Sequence, residues 1–284
     1  MSLGETAPPS SVDSPPRMTA TSDHSPTPDQ RLAVRVRPPR RPVMYQRWRE
    51  LLFLHWRYPA DVIQSLLPPG LTVDTCDSSA WVGIVPFFMR RIRPWWSPPI
   101  PGVSYFLELN LRTYVYDHHG TPGVWFFSLD ASQRFAVWWG RRFFHLPYHP
   151  ARMSAAWDRS SGRVSFTSQR RGAPASQTCR FEYLPSPPLR LSAPGTLEYF
   201  LIERYFLFAR SPGGAISSGQ VIHAPYEISD VDVRHWDEHL LELSGLPLPG
   251  RRPDHALLSR GVDVDIFPLL PLEQAPNSRA DPRV

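Results

Sequence analysis

"SYFLELNLRTYVYDHHGTPGVWFFSLDAS", residues 104–132, reads as two alternating strands around a turn. Successive side chains of a strand point to opposite sides. Leu107, Leu109, Leu111, Thr113 and Val115 therefore form one face of the first strand, and Phe106, Glu108, Asn110, Arg112, Tyr114 and Tyr116 form the other. Gly120, Pro122 and Gly123 supply turn chemistry, which predicts a hairpin centred near residue 120. With that centre Tyr114 faces Phe126, Arg112 faces Ser128, Asn110 faces Asp130 and Glu108 faces Ser132, so the even-numbered polar residues of both strands share one surface. A slip of one residue would send the second strand's set to the other side.

Two environments suit such a surface. Water would accept its charges, but Phe106, Tyr114, Tyr116, Val124 and Phe126 crowd the same face. A pocket lining combines apolar walls with a few convergent polar groups. The expectation is that the odd face packs against helices while the even face looks into a barrel-like interior. There Asn110, Arg112, Ser128 and Asp130 would meet a ligand, with Arg112 and Asp130 on diagonal positions able to pair.

Composition bounds the rest. The 284 residues are 42% hydrophobic and 12% aromatic, enough for a full core. The longest apolar runs are far shorter than the ~18 residues a membrane-crossing helix needs, and no apolar leader opens the chain, so a cytoplasmic protein without membrane contact is expected. Cys76 and Cys179 are too few and too far apart for a disulfide framework or a cysteine metal site. The formal net charge is +5, yet residues 1–43 hold six Arg against four acidic residues and the remainder is only mildly basic, a weak footprint for nucleic acid. All 31 basic residues are Arg. Without lysine, no side-chain Schiff base can form.

Residues 1–43 are rich in Pro, Ser and Thr and are expected to be disordered, ending in a solvated basic linker; residues 272–284 read as a second short tail. The body, residues 44–271, is read as one domain. "WRELLFLHWRY" (48–58) suits a strand or a buried helix equally, "PADVIQSLLPPG" a short helix opened by Pro59, and "TLEYFLIERYFLF" (196–208) a helix opened by Thr196. "LTVDTCDSSAWVGIVPFFMRRIRP", "GQVIHAPYEISDVDV" and "RGVDVDIFPLL" read as strand-forming. Short strands without a βαβ series predict a mainly β, antiparallel architecture with a few short helices. "HWDEH" (235–239) has the spacing at which two histidines and a glutamate on one helix serve a zinc hydrolase, with Glu242 as a further ligand. A solvated helix face packing Trp236, Leu240 and Leu243 inward is the alternative adopted, with no metal and no cofactor.

The blocks "WRELLFLHWRYPADVIQSLLPPGLTVDTCDSSAWVGIVPFFM", "FLELNLRTYV", "PGVWFFSLDAS", "RRFFHLPYHPARM" and "RGVDVDIFPL" together resemble the YqjF-like family of uncharacterised bacterial proteins, domain of unknown function family 2071, which is grouped by fold with acetoacetate decarboxylase. The resemblance covers most of residues 44–270 and implies a β-rich cone- or barrel-like domain around a small-molecule cavity. Where the decarboxylase carries Pro followed by two lysines, this chain has Pro147, Tyr148 and His149. What survives is a cavity with Glu108 as acid or base and Tyr148 and His149 as proton donors, against a reading in which the last two merely end a strand at the surface. The expected function is a lyase- or hydrolase-type enzyme acting on a small carboxylic or oxo acid without amine catalysis; the alternative is a non-catalytic binding or interaction protein. The expected partner is an unidentified small molecule, and a homo-oligomer is considered.

Overall fold

The structure, a computed structural model, describes residues 25–158 and 160–272. The expected tails at 1–24 and 273–284 lie outside the described residues. In chain order the elements are α1 (Pro28–Ala33), β1 (Met44–Tyr58), α2 (Ala60–Gln64), β2 (Thr72–Val73), β3 (Ala80–Pro94), β4 (Phe106–Tyr116), β5 (Pro122–Ala131), α3 (Arg134–Phe143), β6 (Tyr148–Trp157) and β7 (Val164–Arg170). They continue with β8 (Cys179–Leu191), α4 (Leu197–Ile202), β9 (Phe206–Arg210), β10 (Ile216–His223), β11 (Glu227–Trp236), α5 (His239–Glu242), β12 (His255–Ile266) and β13 (Leu270–Pro271). The ambiguous stretch at 48–58 is thus strand.

The fold is mainly β with a few short helices, as expected. Strand order is β13-β10-β9-β5-β6-β7-β8-β11-β12-β1-β3-β4-β2, with further pairings β10–β12 and β5–β4. Those two extra pairings close the hydrogen bonding on itself in two circuits that share the wall β12-β1-β3-β4-β5. Pairing is antiparallel except where β5 runs parallel to β6 and to β9.

Each side of the shared wall has its own core. Leu52, Leu54 and Trp56 of β1, Val82 and Ile84 of β3 and Leu109 and Leu111 of β4 pack with Phe166, Phe181, Ile63 and Leu240. Leu51 and Phe53 of β1, Trp81, Val85 and Phe87 of β3 and Tyr114 of β4 pack on the opposite side with Phe200, Val221 and Val264. Strands buried on both faces lose the simple apolar/polar alternation of a half-solvated strand. The odd face of β4 accordingly packs against other strands as well as α2 and α5.

The hairpin departs from the expected register in an informative way. Tyr116 pairs with Pro122, Tyr114 with Val124 and Arg112 with Phe126, so near the turn even still faces even. Between Arg112 and Leu111 the register shifts, Phe127 is left without an opposite number, and Leu111 pairs with Ser128 and Leu109 with Asp130. One extra residue in one strand re-aims everything beyond it. Ser128 and Asp130 therefore leave the even face, and the expected Arg112–Asp130 pair does not form. Arg170 takes Asp130 instead: its Nε lies 2.9 Å from Oδ1, while Nη2 approaches both Oδ1, at 2.8 Å, and Ser128 Oγ.

The basic segment 25–43 is not a solvated linker over its described length. Thr27 and Gln30 close a capping box on α1, and Arg31 clamps Asp74 through two 2.7 Å hydrogen bonds. Arg204 reaches the same carboxylate at 2.7 Å from the other side. Further along, Gln220 donates to the carbonyls of Val34 and Val36, Arg37 pairs with Asp265, and Arg41 lies 4.7 Å from the centre of the Trp95 ring. Arg31 and Arg37 of this segment pair with carboxylates of the same chain.

Two stability predictions follow from these ion pairs. Arg170→Met strands buried Asp130 and should lower unfolding free energy by roughly 3 to 5 kcal/mol at pH 7. Burial already raises the Asp130 pKa despite Arg170. Protonation therefore relieves the stranded group, and urea denaturation should show the deficit shrinking as pH falls. Arg31→Ala leaves Asp74 with Arg204 and should cost less, about 1 to 2 kcal/mol, an outcome that thermal denaturation of the two variants side by side can check.

Candidate active site

A cavity of about 280 Å³ lies within the circuit formed by β1, β3, β4, β5, β9, β10 and β12, and α3 covers part of it. Phe106, Glu108, Asn110 and Arg112 of β4 project into it, opposite Val85, Phe87 and Met89 of β3. Phe126 and Leu129 of β5 join them, one on each side of the bulge, together with Tyr148 at the start of β6. The even face of β4 thus lines a cavity.

Glu108 is 2% exposed and has a single hydrogen-bond partner among the described residues, the Tyr148 hydroxyl, which donates to Oε2 at 3.0 Å. Burial away from any guanidinium pushes its carboxyl up to about 8, although the Tyr148 hydrogen bond works in the other direction. The shift favours the protonated form of Glu108. The Tyr148 phenol is raised well above its ordinary value by burial and by Glu108, so it remains a neutral donor.

Arg112 reaches neither Glu108 nor Asp130. Its Nη2 donates to the Leu201 carbonyl at 3.2 Å, and its guanidinium lies 5.3 Å and 5.7 Å from the ring centres of Phe53 and Tyr114. Among the described residues its Nε has no partner, and neither have Asn110 Oδ1 and the indole Nε1 of Trp139, all three buried on residues that line the cavity. A buried polar atom without a partner costs roughly 1 to 3 kcal/mol. These three atoms sit on residues that line the cavity, and others like them lie elsewhere in the interior, on His55, Tyr183 and His223 among the described residues.

Tyr148 reaches Glu108 because α3 carries glycine where the ring passes. A Cβ on Gly140 would stand 2.4 Å from the Tyr148 ring. Glycine inside a helix costs about 1 kcal/mol against alanine, and here that cost accompanies a ring seated against the helix backbone. His149, next in sequence, points elsewhere: it pairs with Asp130 in register and is not among the cavity residues. Burial, with Arg170 and Arg141 nearby, pushes its imidazole down to about 4. Ser128, Asp130 and His149 therefore form a structural cluster with Arg170 away from the cavity, while Glu108, Asn110, Arg112 and Tyr148 are brought together.

The cavity's outer part was not legible from the motifs. Trp48 and Gln46 of β1, Phe135 and Trp139 of α3 and the segment after β3 all contribute. That segment is held in shape by Ser104, whose hydroxyl accepts from the Ile100 amide at 2.8 Å and whose amide donates back to the Ile100 carbonyl at 2.9 Å. The spacing of Phe135, Trp138 and Trp139 in "RFAVWWGRRF" is the available signal for α3.

HWDEH does not form the helical zinc arrangement. His235 and Trp236 end β11, and α5 begins only at His239, so the two histidines do not lie one turn apart on a helix. Among the described residues no group of three or more His, Cys, Asp or Glu is placed to hold a metal. Leu240 is buried in the core beside half-buried Trp236. No helix of the described residues is long and apolar enough to cross a membrane.

This arrangement of strands is that of the acetoacetate decarboxylase-like fold. The structure is similar to acetoacetate decarboxylase from Legionella pneumophila subsp. pneumophila str. Philadelphia 1, with TM-score 0.57 and 12% identity over 90% of this chain and 98% of that one. It is also similar to an acetoacetate decarboxylase-like enzyme from Sphingomonas wittichii RW1 (TM-score 0.56, 14% identity, 81% and 93% covered) and to the enduracididine biosynthesis enzyme MppR complexed with pyruvate (0.56, 13%, 84% and 92%). In sequence, residues 45–263 match the family DUF2071, described as an uncharacterized conserved protein. The uncharacterized protein YqjF of Bacillus subtilis (strain 168) is 33% identical over 216 residues, 74% of this chain and 85% of that protein. The chain belongs to the DUF2071 family.

The raised Glu108 carboxyl predicts a pH signature. An acid whose pKa is higher in the folded than in the unfolded state contributes stability that is present below about pH 4.5 and lost as pH rises to about 8. Glu108→Gln removes that component. Urea denaturation between pH 5 and 9 should show the parent losing more stability across the interval than the variant; parallel curves would mean that Glu108 ionises normally.

Proposed function

We propose that the chain is an enzyme that binds a carboxylic or oxo acid in this cavity and transfers a proton to it from Glu108. The observation that carries the reading is the conjunction of a buried acid shifted toward its protonated form with the unpartnered Arg112 Nε and Asn110 Oδ1 in one cavity. A guanidinium in an apolar setting is the residue type best suited to a carboxylate. Its fixed fork would place the acid head, and Asn110 would accept from a hydroxyl or an enol.

Glu108 would then deliver its proton to a substrate oxygen, either a carbonyl that becomes enolic or a hydroxyl that leaves as water. The Tyr148 hydroxyl favours the carboxylate that results, since its hydrogen bond stabilises the charged form of Glu108. The same carboxylate takes the proton from the carbon beside the carbonyl, leaving the enol, or from the carbon next to the departing hydroxyl, leaving an alkene and water, and is a protonated acid again. Fold relatives that are enzymes support catalysis in general. The absence of lysine means that whatever chemistry occurs here proceeds without a Schiff base on a side-chain amine.

Thermal denaturation with a panel of 2-oxo acids tests the binding half: ligands of the native state should raise the midpoint of the parent and not of Arg112→Met. Exchange of protons beside the carbonyl in D2O, followed by NMR, tests the chemistry. Glu108→Gln should keep the midpoint shift and slow exchange by about 10²-fold or more. A panel in which no acid raises the midpoint, or in which Arg112→Met responds like the parent, refutes the reading; binding with exchange at the background rate leaves a binding protein rather than an enzyme.

A further inference from the structure

We propose that the ligand enters head first and keeps an apolar tail at the mouth, so that the site takes an amphiphilic carboxylic or 2-oxo acid with an alkyl or aryl tail. This rests on the assignment of Arg112 and Asn110 to the acid head.

The register of β3 and β4 provides a depth scale. Gly83 pairs with Arg112, Val85 with Asn110, Phe87 with Glu108 and Met89 with Phe106, after which the chain leaves the sheet for the segment around residues 95–105. At about 3.4 Å per residue, Phe106 lies roughly 20 Å along the strand from Arg112. All three polar groups of β4 occupy the inner part of that distance. The outer part is walled by Phe106, Met89, Ile92, Trp96, Ile100 and Phe135. Trp96, Ile100 and Phe135 are also among the exposed large side chains, which identifies their end as the opening.

Polarity along the cavity is therefore graded, with the polar groups of β4 inside and a mainly apolar wall outside, where Gln46, Ser97 and Ser104 are hydrogen-bonded within the protein. An apolar cavity of about 150 Å³ accommodates a benzene, so about 280 Å³ leaves room for a ring or several methylenes beyond the head. A three-carbon acid would occupy only the inner end and leave these outer walls against water. A tail covers them, and each methylene so buried strengthens binding by about fourfold. Because the apolar wall ends at the surface, lengthening the tail should meet no abrupt steric limit.

Isothermal titration of the full chain with straight-chain 2-oxo acids of increasing length, beginning with pyruvate, and with phenylpyruvate decides the matter. The expected result is affinity that climbs about fourfold per methylene over the first several carbons and is lost throughout in Arg112→Met. Trp96→Ser and Ile100→Ser, at exposed positions of the outer wall, should flatten the climb. Equal affinity for all lengths, still dependent on Arg112, overturns the tail and leaves the acid site standing. A climb indifferent to Arg112→Met overturns head-first entry. Failure of every acid to bind the parent removes both the inference and the site on which it rests.

Discussion

The wall formed by β12, β1, β3 and β4 has an apolar core on each face, and that constraint organises the rest of the molecule. Where both faces of these strands are buried, a polar side chain must find a partner inside or border a cavity. Thr113 donates to the Trp81 carbonyl at 2.8 Å, and His55 shares a 2.8 Å hydrogen bond with the Tyr114 hydroxyl. Among the described residues satisfaction is partial for Asn110 and Arg112, which line the cavity, and also for His55 and His255, whose Nδ1 atoms lack a partner away from it. Glu108 has the Tyr148 hydroxyl alone.

The bulge at Phe127 separates the two chemistries of the hairpin. In an unbulged ladder that continues from the Arg112–Phe126 pair, Asp130 would lie on the cavity face directly across from Glu108. With one residue inserted, Asp130 turns to the opposite core, where Arg170 meets it, and Arg112 stays beside the cavity with no carboxylate ion-paired to it. The same insertion places Leu129 on the cavity wall, so one backbone irregularity both removes a charge and adds an apolar surface.

Much of this was legible in sequence. The alternation of residues 106–116 placed Glu108, Asn110 and Arg112 on one face, which the structure buries, and Gly120 marked the turn, although Pro122 and Gly123 belong to β5 and Tyr114 meets Val124 rather than Phe126. The bulge was hidden because Phe127 is an ordinary strand residue in an apolar run, where periodicity cannot show which residue lacks a partner. Segment 25–43 escaped because composition describes solvation, whereas Arg31 is held by Asp74, a buried carboxylate more than forty positions away. The stretch 196–208 changes from helix to strand because the chain turns at Glu203, whose buried carboxylate accepts from the Tyr226 amide at 2.9 Å and from the Tyr205 hydroxyl. That contact depends on residues some twenty positions downstream.

The buried carboxylates differ in what they are given, and the difference singles out one of them. Asp74 has two guanidinium groups, Asp130 has one, Asp117 has the amides of His119 and Thr121, and Glu203 has an amide and a phenol. Each of these has a cation or a backbone donor to offset the loss of water. Glu108 has one phenolic hydroxyl and apolar neighbours. A carboxyl so placed holds its proton more tightly than an ordinary carboxyl does. Moving Arg112 within pairing distance of Glu108 would make a more conventional interior, but it would ionise the acid and occupy the guanidinium in one step. Keeping the two apart leaves a carboxyl and a guanidinium beside one cavity without an ion pair between them.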